Sequence, residues 1–190
     1  MQYVKWQALC TYDFGAFHVS VQSVTRPAGF TVEHKKRGRG SSGILLVTEG
    51  SLCFQQEGLP DLMVTQNDLC LLPQDCRYHL RFCGRENSII LLNFTLMAPN
   101  GEPIIPGEDV QLLQSPVTDP KPLRFFEALP DRLDASEPAA PIRGKEQLYR
   151  LFSILFDEVQ ISLAPQPKFA GIAPGVQLLE QTFLENRPIA

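Results

Sequence analysis

Three histidines (His18, His34, His79) and five cysteines (Cys10, Cys53, Cys70, Cys76, Cys83) offer the most direct routes to metal, redox or acid–base chemistry in this 190-residue chain. No two cysteines have the C-x-x-C spacing that brings two thiolates to one zinc or redox centre. Their number is odd, and Met1–Trp6 has no charged stretch followed by an apolar one. Reduced cytosolic thiols used as small apolar fillers therefore fit better than a secreted disulfide framework. Positive charge is concentrated in His34-Lys35-Lys36-Arg37-Gly38-Arg39. Such a run is either a solvated strand end or loop, or a surface that binds anions or nucleic acid. Asn93 is a different kind of candidate. It interrupts the apolar run Ile90-Leu91-Leu92-Asn93-Phe94, where an amide must bond a neighbouring strand or meet the polar groups of a ligand.

The elements that would position these groups are β from about residue 15 to 97. Phe17, Val19 and Val21 alternate with His18, Ser20 and Gln22, the period of a half-buried strand, which sends His18 to solvent. Phe30, Val32 and His34 keep the rhythm. Ile44–Val47 runs into Glu49-Gly50 and then Leu52-Cys53-Phe54, two strands about a tight turn. Further short apolar runs follow at Leu62–Val64, Leu69–Leu72, Tyr78–Phe82 and Ile89–Leu96, parted by polar or proline-bearing turns. Such spacing implies a sandwich or barrel rather than a parallel sheet with crossover helices. On one of these strands Tyr78 and His79 must face opposite ways.

Composition changes at Pro99. Nine of the sixteen prolines lie between Pro99 and Pro141, so the segment 99–141 is expected to wrap irregularly over the barrel. Lys145–Ile161 has the clearest helical period, with Leu148, Leu151, Phe152, Leu155 and Val159 on one face. Tyr149, Ile154, Phe156 and Ile161 widen that face beyond a single stripe, which implies a second contact with another barrel-associated element or another subunit. Residues 163–173, with Pro165 and Pro167, read as a linker, and a shorter helix opens near Pro174. The fold class expected is mainly β with C-terminal α-helices. No apolar run approaches the roughly 18–20 residues that span a bilayer, so a cytoplasmic protein without membrane contact is expected. The net charge of −4 leaves the chain without the basic face of a complete DNA-binding domain. Any DNA contact would be made mostly by another part of the protein.

The stretch Asn67-Asp68-Leu69-Cys70-Leu71-Leu72-Pro73-Gln74-Asp75-Cys76-Arg77-Tyr78 resembles the second motif of the cupins. Leu45-Leu46-Val47-Thr48-Glu49-Gly50-Ser51-Leu52 resembles the strand and turn that close their first motif. Aligned on Gly50, the two first-motif histidines fall at Lys36 and Gly38 and the glutamate at Gly43. Aligned on Pro73, the third histidine falls at Tyr78 and the final asparagine at Phe82. An ammonium, two glycines and a phenol cannot converge on a metal ion, so the resemblance implies a barrel with no metal and no cofactor. What remains is similar to the N-terminal domain of AraC-family regulators. Those combine a Glu-Gly turn, a Leu-Leu-Pro strand end, an aromatic residue at the metal-histidine position and helices after the barrel. Ile172-Ala173-Pro174-Gly175-Val176-Gln177-Leu178-Leu179-Glu180 resembles the opening helix of their DNA-binding domain.

The resemblance implies a cupin-like jelly roll over 15–98, preceded by an arm over 1–14 and followed by the wrapping segment 99–141. A dimerisation helix region over 142–162, a linker over 163–173 and the start of a DNA-binding domain over 174–190 complete it. The recognition helices would lie beyond residue 190. The function implied is that of an effector-sensing, non-enzymatic domain that takes a small metabolite such as a sugar. It would form a homodimer through helix 145–161 and touch DNA only through the missing domain. Four residues are candidates for the ligand: Lys36, at an inward-facing position of the motif; Tyr78, either a stacking partner or a core tyrosine; Asn93; and Trp6, in an arm over the barrel mouth. The rival is a metal-free cupin enzyme, such as a sugar isomerase or epimerase. That chemistry needs a positioned acid–base pair, commonly a histidine with a carboxylate.

Overall fold

The computed structural model describes residues 1–117, 119–133 and 137–156. A short strand β1 (Gln2–Val4) and a 3-10 helix (Trp6–Thr11) lead into β2 (Gly15–Pro27). Then come β3 (Thr31–Glu33), β4 (Ser42–Glu49), β5 (Ser51–Gln55), β6 (Leu62–Thr65), β7 (Leu69–Leu72), β8 (His79–Phe82) and β9 (Glu86–Met97). After the strands β10 (Pro103–Pro106) and β11 (Gln111–Gln114) the chain turns helical, with α1 (Pro120–Glu127), α2 (Leu129–Arg132) and α3 (Ala140–Phe156).

From β2 to β9, eight strands form two facing sheets, β2–β9–β4–β7 and β3–β8–β5–β6. Counted from β2, the order is 1-8-3-6 against 2-7-4-5, the paired Greek keys of a jelly roll. The fold is therefore mainly β with helices after the barrel, as the residue pattern led one to expect. β1, β10 and β11 extend the first sheet.

That first sheet is buried on both faces, which explains why β4 and β7 read as unbroken apolar runs rather than alternations. Leu45, Val47, Cys70, Leu72 and Leu91 turn into the barrel with Leu52, Phe54, Leu80 and Phe82 of the second sheet. Their neighbours Ile44, Leu46, Leu69, Leu71, Leu92 and Phe94 turn outward, where α1, α3 and the N-terminal segment cover them. Leu148, Leu151, Phe152 and Leu155 of α3 all join this outer layer, each contributing about 1.5–3 kcal/mol by burial.

Two expectations need correction. Among its described residues segment 99–141 is not irregular, and several of its prolines stand at the ends or in the first turns of elements. Pro103 and Pro106 bound β10, and Pro120 begins α1 behind an Asp119 cap whose side chain accepts from the Lys121 amide at 2.9 Å. Helix α3 starts at Ala140, earlier than Lys145. Its first turn tolerates Pro141, and Gly144 lets the helix approach β2 so closely that a Cβ would lie 3.0 Å from that of Val19. For the apolar surplus of α3, elements of the same chain supply one of the two contacts expected. Ile154 and Phe156 pack on the outer layer, and the Tyr149 hydroxyl accepts from the Ala16 amide at 3.0 Å. The expected continuation of this helix to Ile161, the linker and residues 174–190 lie outside the described residues.

Candidate functional site

Strands β2 and β3 are the free edges of their sheets, and a cavity of about 540 Å³ opens between them into the barrel. Period-2 alternation selects its walls. Phe30, Val32 and His34 face inward from β3 and its extension, while Ser20, Gln22 and Val24 do so from β2. A bulge in β2 sets which residues those are. Three steps along β2, from Phe17 to Ser20, oppose two along β9, from Thr95 to Asn93, and His18 takes a left-handed φ of 49° there. His18 is thereby brought to the exposed rim of the cavity, while Val19 and Val21 pack against the outer layer.

The polar end of the cavity is organised by Arg39, which the sequence reading passed over. It is 7% exposed, Tyr78 2% and Asn93 8%. The Arg39 backbone is pinned to the β7–β8 turn: its amide donates to the Cys76 carbonyl at 3.1 Å, and its carbonyl accepts from the Asp75 amide at 2.8 Å. Gly38 permits that approach, since a Cβ there would lie 2.4 Å from the Asp75 carbonyl oxygen. From this anchor Nη1 donates to the Tyr78 hydroxyl at 3.0 Å and Nη2 to the Asn93 Oδ1. Gly43 leaves the room: a Cβ there would stand 2.8 Å from Arg39 Nη2. Gly43 is also the position at which the resemblance to the cupin motif would place a glutamate; here the guanidinium fills the space that such a side chain would take.

His34 lies beside Tyr78 with ring centroids 5.0 Å apart. Burial first, and then the charge of Arg39, holds His34 below the ordinary histidine value against a smaller pull from the Gly38 backbone. It is neutral at pH 7. Burial raises the Tyr78 phenol, opposed by Arg39, so that hydroxyl stays protonated. A guanidinium has no acceptor, and the Tyr78 proton is left to bond something else. Behind these groups Leu80, Phe82 and Leu91 make an apolar floor.

Tyr78 and Asn93 are thus brought together inside the barrel, and two other candidates stand elsewhere. Lys36 is exposed and lines no part of the cavity. The inward rhythm of β3 stops when residues 35–37 turn, closed by a 3.0 Å bond from the Gly38 amide to the His34 carbonyl. That turn changes which side chain of the basic run faces in. Trp6 does not cover the barrel mouth. It is buried on the opposite side of the first sheet, stacked on Phe156 at 4.8 Å and edge-on to Phe152 at 5.6 Å. His79 faces out beside its register partner Glu33 at 3.3 Å, so it does not share the interior with His34. Among the described residues, no three of His, Cys, Asp and Glu converge as a metal site.

Strand order and interior define a class: a jelly roll of the cupin type with a buried guanidinium at the polar end of its interior. No family model and no curated protein matches the chain. Among solved structures it is similar to an apo lysine-to-alanine variant of ToxT from Vibrio cholerae, at 16% identity and a TM-score of 0.48, over 74% of this chain and 55% of that one. It is similar to ToxT with a bound unsaturated fatty acid at 18% identity and 0.35, over 40% of this chain and 28% of that one. It is also similar to the cupin domain of an XRE-family transcriptional regulator from Enterobacter cloacae, at 13% identity and 0.35, over 42% and 94% of the two chains. The chain therefore spans roughly a quarter to a half of the ToxT chains.

Proposed function

We propose that this chain is the effector-sensing domain of a bacterial transcription regulator of the AraC type. It binds a small metabolite in its barrel and leaves DNA contact to another domain. The observation that carries the binding role is the cavity of about 540 Å³, with Arg39, Tyr78, Asn93 and His34 at one end and apolar side chains at the other. Volume and polarity are those of a site for one small organic molecule. The regulator role rests on the sequence resemblance: the Glu49-Gly50 turn, the Leu71-Leu72-Pro73 strand end, Tyr78 and the helices after the barrel. Against the isomerase or epimerase reading, no acidic residue among those described lines the cavity, so none of them gives His34 a carboxylate there with which to form an acid–base pair. No helix among the described residues is long and apolar enough to cross a membrane; a cytoplasmic location follows from the regulator reading itself.

Thermal-shift titration of the chain with sugars and small organic acids tests the sensor reading, because a ligand that binds only the folded state raises the melting temperature by mass action. A saturable shift with the ligand recovered unchanged is expected. Chemical conversion of the bound compound would move the protein to the enzyme class. Pairing of two copies through helix 145–161 belongs to the same proposal. Among the exposed residues of α3, Ile142 and Tyr149 offer a twin apolar surface, and Glu146, Arg150 and Ser153 a polar one. Sedimentation equilibrium should show a dimer; a monomer would remove the pairing and leave the sensor.

A further inference from the structure

We infer that the cavity is built for an organic monocarboxylate, its head held by Arg39 and its apolar body lying against Val32, Leu80, Phe82 and Leu91. This rests on the barrel's being a ligand site and narrows the ligand to a chemical class. The argument begins with charge. Arg39 is 93% buried, since it is 7% exposed, and a buried cation requires compensation. Its two protein acceptors, the Tyr78 hydroxyl and the Asn93 amide oxygen, are both neutral. Nε is buried with no hydrogen-bond partner. The contacts between basic and acidic side chains found among the described residues, His79 with Glu33 and Arg143 with Glu137, do not involve it. Among the described residues no acidic side chain lines the cavity, whereas a second guanidinium, Arg26, stands at its rim over the Phe30 ring at 4.9 Å. The missing negative charge must come from the ligand.

Stereochemistry narrows the anion. A carboxylate is planar and carries one charge, matching a single guanidinium with an unused N–H, and it can also accept the Tyr78 proton. A phosphate monoester carries nearly two charges and would call for a second buried cation, yet His34 is neutral and Arg26 is exposed. The opposite wall is hydrocarbon, so the rest of the molecule is aliphatic or aromatic rather than polyhydroxylated. The site is prepared in advance by the pinned backbone of Arg39 and by the absence of a side chain at Gly43.

The test titrates the 190-residue chain with straight-chain acids from butyrate to decanoate and with benzoate and phenylacetate. Each acid is paired with its neutral amide, and inorganic phosphate and a panel of sugars run alongside. At least one acid should bind, its amide roughly 100-fold more weakly, as expected for loss of charge-assisted hydrogen bonds. Arg39→Met should abolish acid binding without lowering the melting temperature of the ligand-free protein, because it removes an uncompensated buried charge. Arg39→Lys should retain part of the affinity. If Arg39 is only a structural bolt, Arg39→Met will lower the melting temperature and leave affinity unchanged, which overturns the inference. Should Arg39→Met fail to fold, the acid–amide comparison on the unaltered chain decides alone. Amides or sugars binding as well as acids, or phosphate binding as tightly, would also overturn it while leaving the sensor reading in place. If acids, amides and sugars all fail to bind, the sensor reading falls too.

Discussion

At the scale of single residues, the interior of the barrel is governed by one cation and the groups that leave it room. Gly43 is the clearest of these. In Gly43→Ala the new methyl would meet Arg39 Nη2 at 2.8 Å and the Leu91 side chain at 3.0 Å, so the guanidinium must swing away from Asn93. We expect acid binding to weaken about tenfold, the worth of roughly one charge-assisted hydrogen bond, with only a small change in melting temperature. His34 gives the site a pH dependence of known sign. Its folded value lies below 6.5, so the unfolded chain binds the extra proton first. The stability gained by keeping His34 neutral is fully present above about pH 6.5 and is lost as pH falls below it. Urea denaturation at pH 7.5 and 5.5 should show that loss shrinking in His34→Gln; an unchanged slope would assign it to other groups. How legible these residues were differs case by case. Asn93 announces itself as an amide in an apolar strand, and Tyr78 by its place in a motif. Arg39 was hidden among four other cations and histidines, because only the turn at 35–37 decides which of them faces in.

Elements were easiest to read where a period and a turn residue coincide. The turn from β4 into β5, which carries the chain from one sheet to the other, is one such place: Gly50 has φ +81°, and a Cβ there would sit 2.3 Å from the Glu86 carbonyl oxygen. Strand alternation was legible too, but not the bulge at His18, since the inserted residue depends on where β9 lies. Asn87 shows a similar limit. In sequence it belongs to a polar turn, yet it is fully buried. Its Oδ1 accepts from the Ser51 and Gly84 amides, and its Nδ2 donates to the Arg26 and Gly84 carbonyls. Nothing local marks a residue that ties three separate turns together. The N-terminal segment was misplaced because its aromatics fit a lid as well as a wedge. The wedge carries its own prediction. Trp6→Ala should cost about 3–5 kcal/mol of stability by opening a hole between Phe152 and Phe156, and leave the affinity for any cavity ligand unchanged. Denaturant melts and ligand titration of the one variant separate these effects, and a large loss of affinity would restore Trp6 to the site.

Across the whole molecule, the jelly roll and its outer helices share one sheet as a common wall. β2 is the strand where both sides meet. The bulge turns His18 toward the cavity and Val19 toward Gly144 of α3, while the Tyr149 hydroxyl holds the Ala16 amide two residues before His18. An occupant that straightens or tightens this stretch acts directly on the seat of the helix, and the linkage works equally in reverse. Hydrogen exchange at the Ala16 amide should therefore slow when the cavity is filled, and Tyr149→Phe should abolish that slowing while leaving binding itself largely intact. An insensitive Ala16 would confine the ligand's influence to the interior. The irregularity in β2 is then more than a packing defect: as a one-residue crank in an otherwise regular wall, it would give a molecule bound inside the barrel a grip on the helix outside.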